Sequence, residues 1–182
     1  MEQLLMLDKI RRIVTGHDDA GRSVVHFDGI LPRRLGSNRR GVTDLWNTEG
    51  APVDSRVSED RRELPFSLTP APRGTTFLFF TVAPEEPGAD PTIEEQRAAA
   101  AFAAYNATHA RPDTARSPWM HKTDTIDYVI VLKGEVTLAL DRDELDLKPF
   151  DVVIQRGTNH AWINRGKEPA LLAVVLVDAA LR

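Results

Sequence analysis

The sequence contains no cysteine. That excludes disulfide frameworks, thiolate-held zinc or iron–sulfur centres, and a cysteine nucleophile. It lacks an excess of positive charge. Its 23 Lys and Arg stand against 27 Asp and Glu, a net charge of −4, so nothing points to a nucleic-acid partner. Long apolar runs are missing too. Leu4–Leu7 is interrupted by Asp8 and Lys9, and the run from Ala170 to Val177 is far short of a membrane span. The expectation is a cytoplasmic protein with no membrane partner. Gly-x-Gly-x-x-Gly, a phosphate loop, Gly-x-Ser-x-Gly and His-Glu-x-x-His are all absent, which leaves nucleotide-dependent transfer and serine hydrolysis without sequence support.

What is present is enough for one domain. A chain of 182 residues, 42% hydrophobic and 27% charged, can bury about 70% of its unfolded surface in a core without covalent staples. Short strands explain most of it. Ile10–Thr15 and Ser23–Phe27 flank a six-residue loop from Gly16 to Gly21 with hairpin chemistry. Val42–Asn47 and Thr75–Val82 read as further strands, and the charged stretch Asp54–Glu63 as a solvated excursion. One long helix is predicted near 93–108, with Thr92 and Glu95 as a capping box and Ile93, Ala100, Ala103 and Ala107 on its apolar face.

After Pro118 the period becomes two. Ile126–Leu132, Val136–Leu140, Leu145–Leu147, Val152–Ile154, His160–Asn164 and Leu171–Val177 are short, evenly spaced β segments. Such spacing predicts an all-β sandwich or jelly-roll-like barrel rather than βαβ units. Within it His121, Thr123, Thr125 and Asp127 share parity, hence one face of an extended segment. His160 opens another strand after the turn Gln155–Asn159. Two imidazoles and a carboxylate converging in a barrel can hold a divalent metal, among Fe, Mn, Zn and Ni.

These residues resemble the two motifs of the cupins. His121-Lys122-Thr123-Asp124-Thr125-Ile126-Asp127, six residues, then Gly134 is similar to the first. Gln155-Arg156-Gly157-Thr158-Asn159-His160, three residues, then Asn164 is similar to the second. The resemblance covers about residues 119–178 and implies a double-stranded β-helix barrel, commonly dimeric, often with a metal on three His and one Glu. The sequence departs from that pattern at Thr123 for the second histidine, Asp127 for the glutamate, Ala115 for a glycine, Gln155 for the motif-two proline and Pro149 for a glycine. His121, Asp127 and His160 are the ligands that carry over.

Thr123, Thr125 and Trp162 are expected at a substrate pocket, and Asn164 at a strand end. His17, His26 and His109 are expected in exposed or structural roles. Arg33, Arg34, Arg39 and Arg40, around Gly36-Ser37-Asn38, read as a solvated loop, with a flap that brings an Arg to an anionic substrate as the alternative. Residues 75–182 are expected to form the barrel. Residues 1–74 are expected to extend it or a partner's sheet, making a homodimer. Three functions stay open. The first is a metal-dependent enzyme on a small oxygenated organic molecule. The second is a metal-free enzyme in which His121 and Asp127 form an acid–base pair. The third is a non-catalytic small-molecule-binding barrel.

Overall fold

A computed structural model describes residues 6–37, 39–56 and 59–180. Leu4 and Leu5 of the first apolar run, Asn38 of the basic loop, and residues 57 and 58 of the charged excursion lie outside the described residues. Eleven strands form among the described residues. Strands β1 (Arg11–His17) and β2 (Ser23–Ile30) make a separate antiparallel hairpin. A six-stranded sheet holds β3 (Leu35–Gly36), β4 (Gly41–Thr48), β5 (Thr75–Val82), β6 (Thr125–Lys133), β9 (Val152–Arg156) and β11 (Ala170–Asp178), in the order β3-β4-β5-β11-β6-β9. A three-stranded sheet holds β7 (Val136–Leu140), β8 (Glu144–Leu147) and β10 (His160–Ile163), in the order β10-β7-β8. Every strand pairing is antiparallel.

Alternation builds the core. On β6, Asp127, Val129 and Val131 point inward and are buried, while Tyr128 and Ile130 point outward. Leu78 and Val82 of β5, with Leu172, Val174 and Leu176 of β11, meet Val136, Leu138 and Trp162 of the smaller sheet across the interior. The turn after β6 needs Gly134, whose φ of 77° lies in the left-handed region and whose added Cβ would meet Ala170 Cα at 2.9 Å. Asn164 ends β10 by donating to Val82 O and Glu168 O and accepting from Gly166 N.

The helix differs from its predicted form. Helix α1 runs Pro91–Ala104, not near 93–108. Asp90, not Thr92, caps it, its carboxylate accepting from Thr92 N, with Pro91 pre-set at the first helical position. Asn106, at φ 51°, breaks the helical path, and its side chain donates to Phe66 O. The buried face is Ala98 and Phe102, whereas Ile93 is 47% exposed and Ala100 and Ala103 face solvent. Four consecutive alanines conceal the helical period, so the one large ring, Phe102, sets the orientation.

The charged excursion is tied down at its end. Asp60 takes the Arg12 guanidinium with both oxygens, and Arg62 reaches the fully buried Asp44. Among the described residues no helix is long and apolar enough to cross a membrane.

Candidate functional site

The barrel interior holds a cavity of about 110 Å³. Its walls are apolar: Leu78, Phe80, Val129, Val174 and Leu176 come from neighbouring strands of the six-stranded sheet, with Phe66 beside them and Trp162 from the smaller sheet. Polar side chains also line it: Arg40, Thr81, Tyr105, His121, Asp127 and His160.

The two histidines are set by backbone pairing. His121 N donates to His160 O at 2.8 Å, and His160 N to His121 O at 2.9 Å. This mutual bridge puts two same-face side chains side by side, and the rings lie 4.2 Å apart between centroids. The turn before His160 is braced by Gln155, whose amide donates to the Thr158 hydroxyl and, at 3.2 Å, to Thr158 O. Each ring's Nδ1 sits against a backbone carbonyl, Trp119 O at 3.0 Å for His121 and Thr158 O at 2.9 Å for His160. An Nδ1–H donor there leaves both Nε2 atoms as acceptors. Burial lowers the pKa of His121, with Arg111 adding to the effect. Burial, and next the neighbouring His121, hold His160 well below the ordinary histidine range. Both rings are neutral at neutral pH.

Asp127 is 5% exposed, and its Oδ1 has no hydrogen-bond partner among the described residues. Burial raises its pKa to about 6, against a smaller lowering by the Thr125 hydroxyl. Among the described residues no Arg or Lys lies within ion-pair distance of it.

His121, Asp127, His160 and Trp162 therefore line one cavity. Thr123 and Thr125 are buried but do not line it. They share a hydroxyl–hydroxyl bond of 2.7 Å and border a separate hollow with Lys122, Asp124 and Asp178. Thr125 in turn interacts with the Asp127 carboxyl. Phe102, 5.0 Å from the His121 ring, and Tyr105 join the cavity without any motif announcing them, and Arg40, one of the four arginines the sequence offers as a flap, has its guanidinium 3.8 Å above the Trp119 ring. The basic loop held the signal for Arg40, but only the fold separates it from Arg33 and Arg34. Arg33 pairs with Asp8, and Arg34 donates to Arg62 O and Leu64 O. Trp119 is a mouth residue and Tyr128 an outer one.

The residues present do not fit a divalent metal on three protein ligands. Among the described residues no group of three His, Asp or Glu side chains is gathered closely enough for one. Two imidazoles come together. Asp127, a methylene shorter than glutamate, stands apart from them, and the Thr123 hydroxyl is engaged with Thr125.

Comparison with known proteins agrees with this barrel. The Cupin_2 family model, Cupin domain, matches residues 108–177. The chain is 33% identical over 155 residues to Phomopsin biosynthesis cluster protein C' of Diaporthe leptostromiformis, covering 85% of this chain and 70% of that one. It belongs to the cupin superfamily. A second relative of this cupin, the Cupin-domain-containing oxidoreductase fogC of Aspergillus ruber, is 28% identical over 183 residues, covering 94% of this chain and 74% of that one. Among solved structures the cupin domain of Schizosaccharomyces pombe Cnp3 has 11% identity over 93% of this chain and 88% of that chain, with a TM-score of 0.48.

Proposed function

We propose that this cupin is an enzyme that moves a proton on a small oxygenated organic molecule held in the barrel, in an isomerisation or a dehydration. The supporting observation is the Asp127 carboxyl. It is buried, its Oδ1 is unpartnered, and it shares an apolar cavity with two neutral imidazoles. A pKa near 6 suits a general base at neutral pH, since the group is ionised yet still basic enough to take a proton. In this reading Asp127 takes a proton from a carbon activated by a neighbouring carbonyl and returns it at a second position or to a departing hydroxyl. The Nε2 atoms of His121 and His160 accept hydrogen bonds from substrate hydroxyls and fix its orientation. Phe80, Phe102 and Trp162 exclude water.

The test is solvent exchange. A panel of small carbonyl acids and hydroxy-ketones is incubated with the protein in D2O and followed by NMR. The expected result is deuterium incorporation into one class of compound, unchanged after exhaustive chelation and reduced at least a hundredfold by Asp127→Asn. Turnover that needs added Fe, Mn, Zn or Ni and stops on chelation would overturn the proposal in favour of a metal-dependent enzyme; the Aspergillus ruber relative is named an oxidoreductase. Binding without exchange or turnover of any member would favour a carrier barrel.

A homodimer belongs to the same reading. Strand β9 is a sheet edge, and its outer face continues that of β6: Tyr128, Ile130, Val152 and Ile154 are 39–60% exposed. Contiguous apolar surface of this kind is characteristic of an interface between copies. Sedimentation of the full chain is expected to give a dimer, and Ile154→Lys a monomer with the far-ultraviolet spectrum of wild type. A monomeric wild type counts against it.

A further inference from the structure

The Arg40 guanidinium has no ion-pair or hydrogen-bond partner among the described residues. Arg40 precedes β4 and lines both the inner cavity and an outer cleft that Glu85, Glu94, Tyr105, Trp119 and Trp162 also line. Arg40, Tyr105, Trp119 and Trp162 border both spaces, so they form the mouth between them. The guanidinium is stacked on Trp119, which fixes its plane and leaves its edge of N–H donors for a ligand. Among the described residues no carboxylate lies within 4.0 Å of it, and no hydrogen bond from it forms. The carboxylate with the strongest influence on it, Glu94, is occupied elsewhere: one oxygen accepts from Arg97 at 2.6 Å and the other from Trp119 Nε1 at 3.3 Å. Glu85 has a weaker favourable influence, and Arg97 opposes both.

A half-buried guanidinium whose N–H edge has no protein partner stays open to solvent at the mouth and is available to an anion. Arg33, Arg34, Arg61 and Arg62 all meet a carboxylate or carbonyl partner. Arg40 stands out by facing a space that a ligand would fill. Behind it lies an apolar chamber of about 110 Å³, approaching the size of a cavity that accepts a benzene-sized ring, about 150 Å³.

We infer that this cupin takes a monocarboxylic acid with a compact apolar or aromatic body, its carboxylate bound by Arg40 at the mouth and its body directed inward toward Asp127 and the histidines. The inference rests on the reading of the cavity as a substrate site, but not on any chemistry there. It places the charged end of the substrate at the rim. The carboxylate meets a bidentate donor at that position and stays away from the carboxyl of Asp127 in the chamber. Specificity divides accordingly: the Arg40 edge selects charge, and the chamber walls select the size of the body.

The experiment is binding, measured by calorimetry on the full chain with benzoate and with benzamide, near-isosteric probes that differ in charge. The expected result is at least a tenfold preference of the wild type for benzoate. Arg40→Gln should reduce that preference to less than twofold, leaving benzamide affinity within twofold of wild type, and Arg40→Lys should restore part of it. The Asp127→Asn variant should keep the preference, which separates this inference from the proton-transfer reading. If Asp127→Asn abolishes exchange but wild type binds both probes equally, the assignment of Arg40 fails and the catalytic reading stands. If the preference is present but no compound exchanges, the catalytic reading fails and this one stands. Arg40→Gln that retains the full benzoate preference would overturn the assignment, as would a wild type that binds neither probe. If Arg40→Gln does not fold, the wild-type comparison of the two probes decides by itself.

Discussion

Asp127→Asn is expected to raise the unfolding temperature of this cupin at pH 8 by several degrees while abolishing proton transfer. A residue placed only for structure would lose stability when changed. A buried carboxyl held without a counter-charge does the opposite. Its pKa is raised from the ordinary 3.8 to about 6, with burial as the main cause. Two units correspond to about 3 kcal/mol of differential interaction between the protonated and ionised forms. The sign follows from proton counting. Between about pH 4 and 6 the folded protein binds a proton at Asp127 that the unfolded chain has released. Stability therefore falls as pH rises through that window, and above it the whole penalty is present. The amide has the same shape and no charge, so it removes the penalty. For a chain of this length each kcal/mol moves the midpoint by roughly 2–4 °C. Differential scanning calorimetry at pH 8 and at pH 4.5 tests this: the gain from Asp127→Asn should be large at pH 8 and small at pH 4.5. A variant that melts at or below the wild-type temperature at pH 8 would show that the carboxylate is satisfied in solution, removing the main support for a general base. Stability given up at one position in exchange for reactivity is the pattern of a functional site.

The strands were legible because alternation is a local signal. Thr75–Val82 and Val136–Leu140 form over the predicted residues, since each alternates or runs apolar between turn residues. The parity of His121 and Asp127 with Val129 was equally readable, and both line the cavity. Thr125 keeps that parity as the first, buried residue of β6, but it lies at the strand's end and, with Thr123, borders a different hollow. Parity therefore fixed its face and not its distance along the strand from the cavity. The helix face was hidden by alanines that fit any orientation. Arg40 was hidden for a different reason. Its stacking partner Trp119 lies far along the chain, and only closure of the barrel brings them together. The absence of a three-ligand cluster among the described residues was also beyond sequence spacing, because motif register fixes Cα positions and not the reach of a shortened side chain.

Acid should destabilise the protein well before its surface ion pairs break, and the histidine pair is the cause. His121 and His160 have depressed pKa values through burial, and His160 is depressed further by its neighbour. For a depressed base, the stability contribution is complete above the unfolded value near 6.5. It is lost as pH falls below that value, because the unfolded chain takes up protons that the folded one refuses. The loss is larger for His160, held well below its ordinary range, than for His121. Asp127 works against it between about pH 6 and 4, returning up to about 1.4 kcal/mol per unit as it protonates, so the wild-type decline should be shallower than that of the histidines alone. The carboxylates of Asp60 and Glu144, which side-chain hydrogen bonds from arginines hold below their ordinary range, release their contribution only at lower pH. The window from pH 6.5 to 4.5 therefore reports on the cavity. His160→Gln, which keeps a polar side chain and removes the titration, should flatten the decline there. Asp127→Asn should steepen it toward the full two-histidine slope. Chemical denaturation at half-unit pH intervals measures all three. A wild-type stability that stays level across the window, with no separation among the variants, would mean that water or ligand charges the imidazoles freely, and the neutral pair at the centre of the proposed chemistry would be lost.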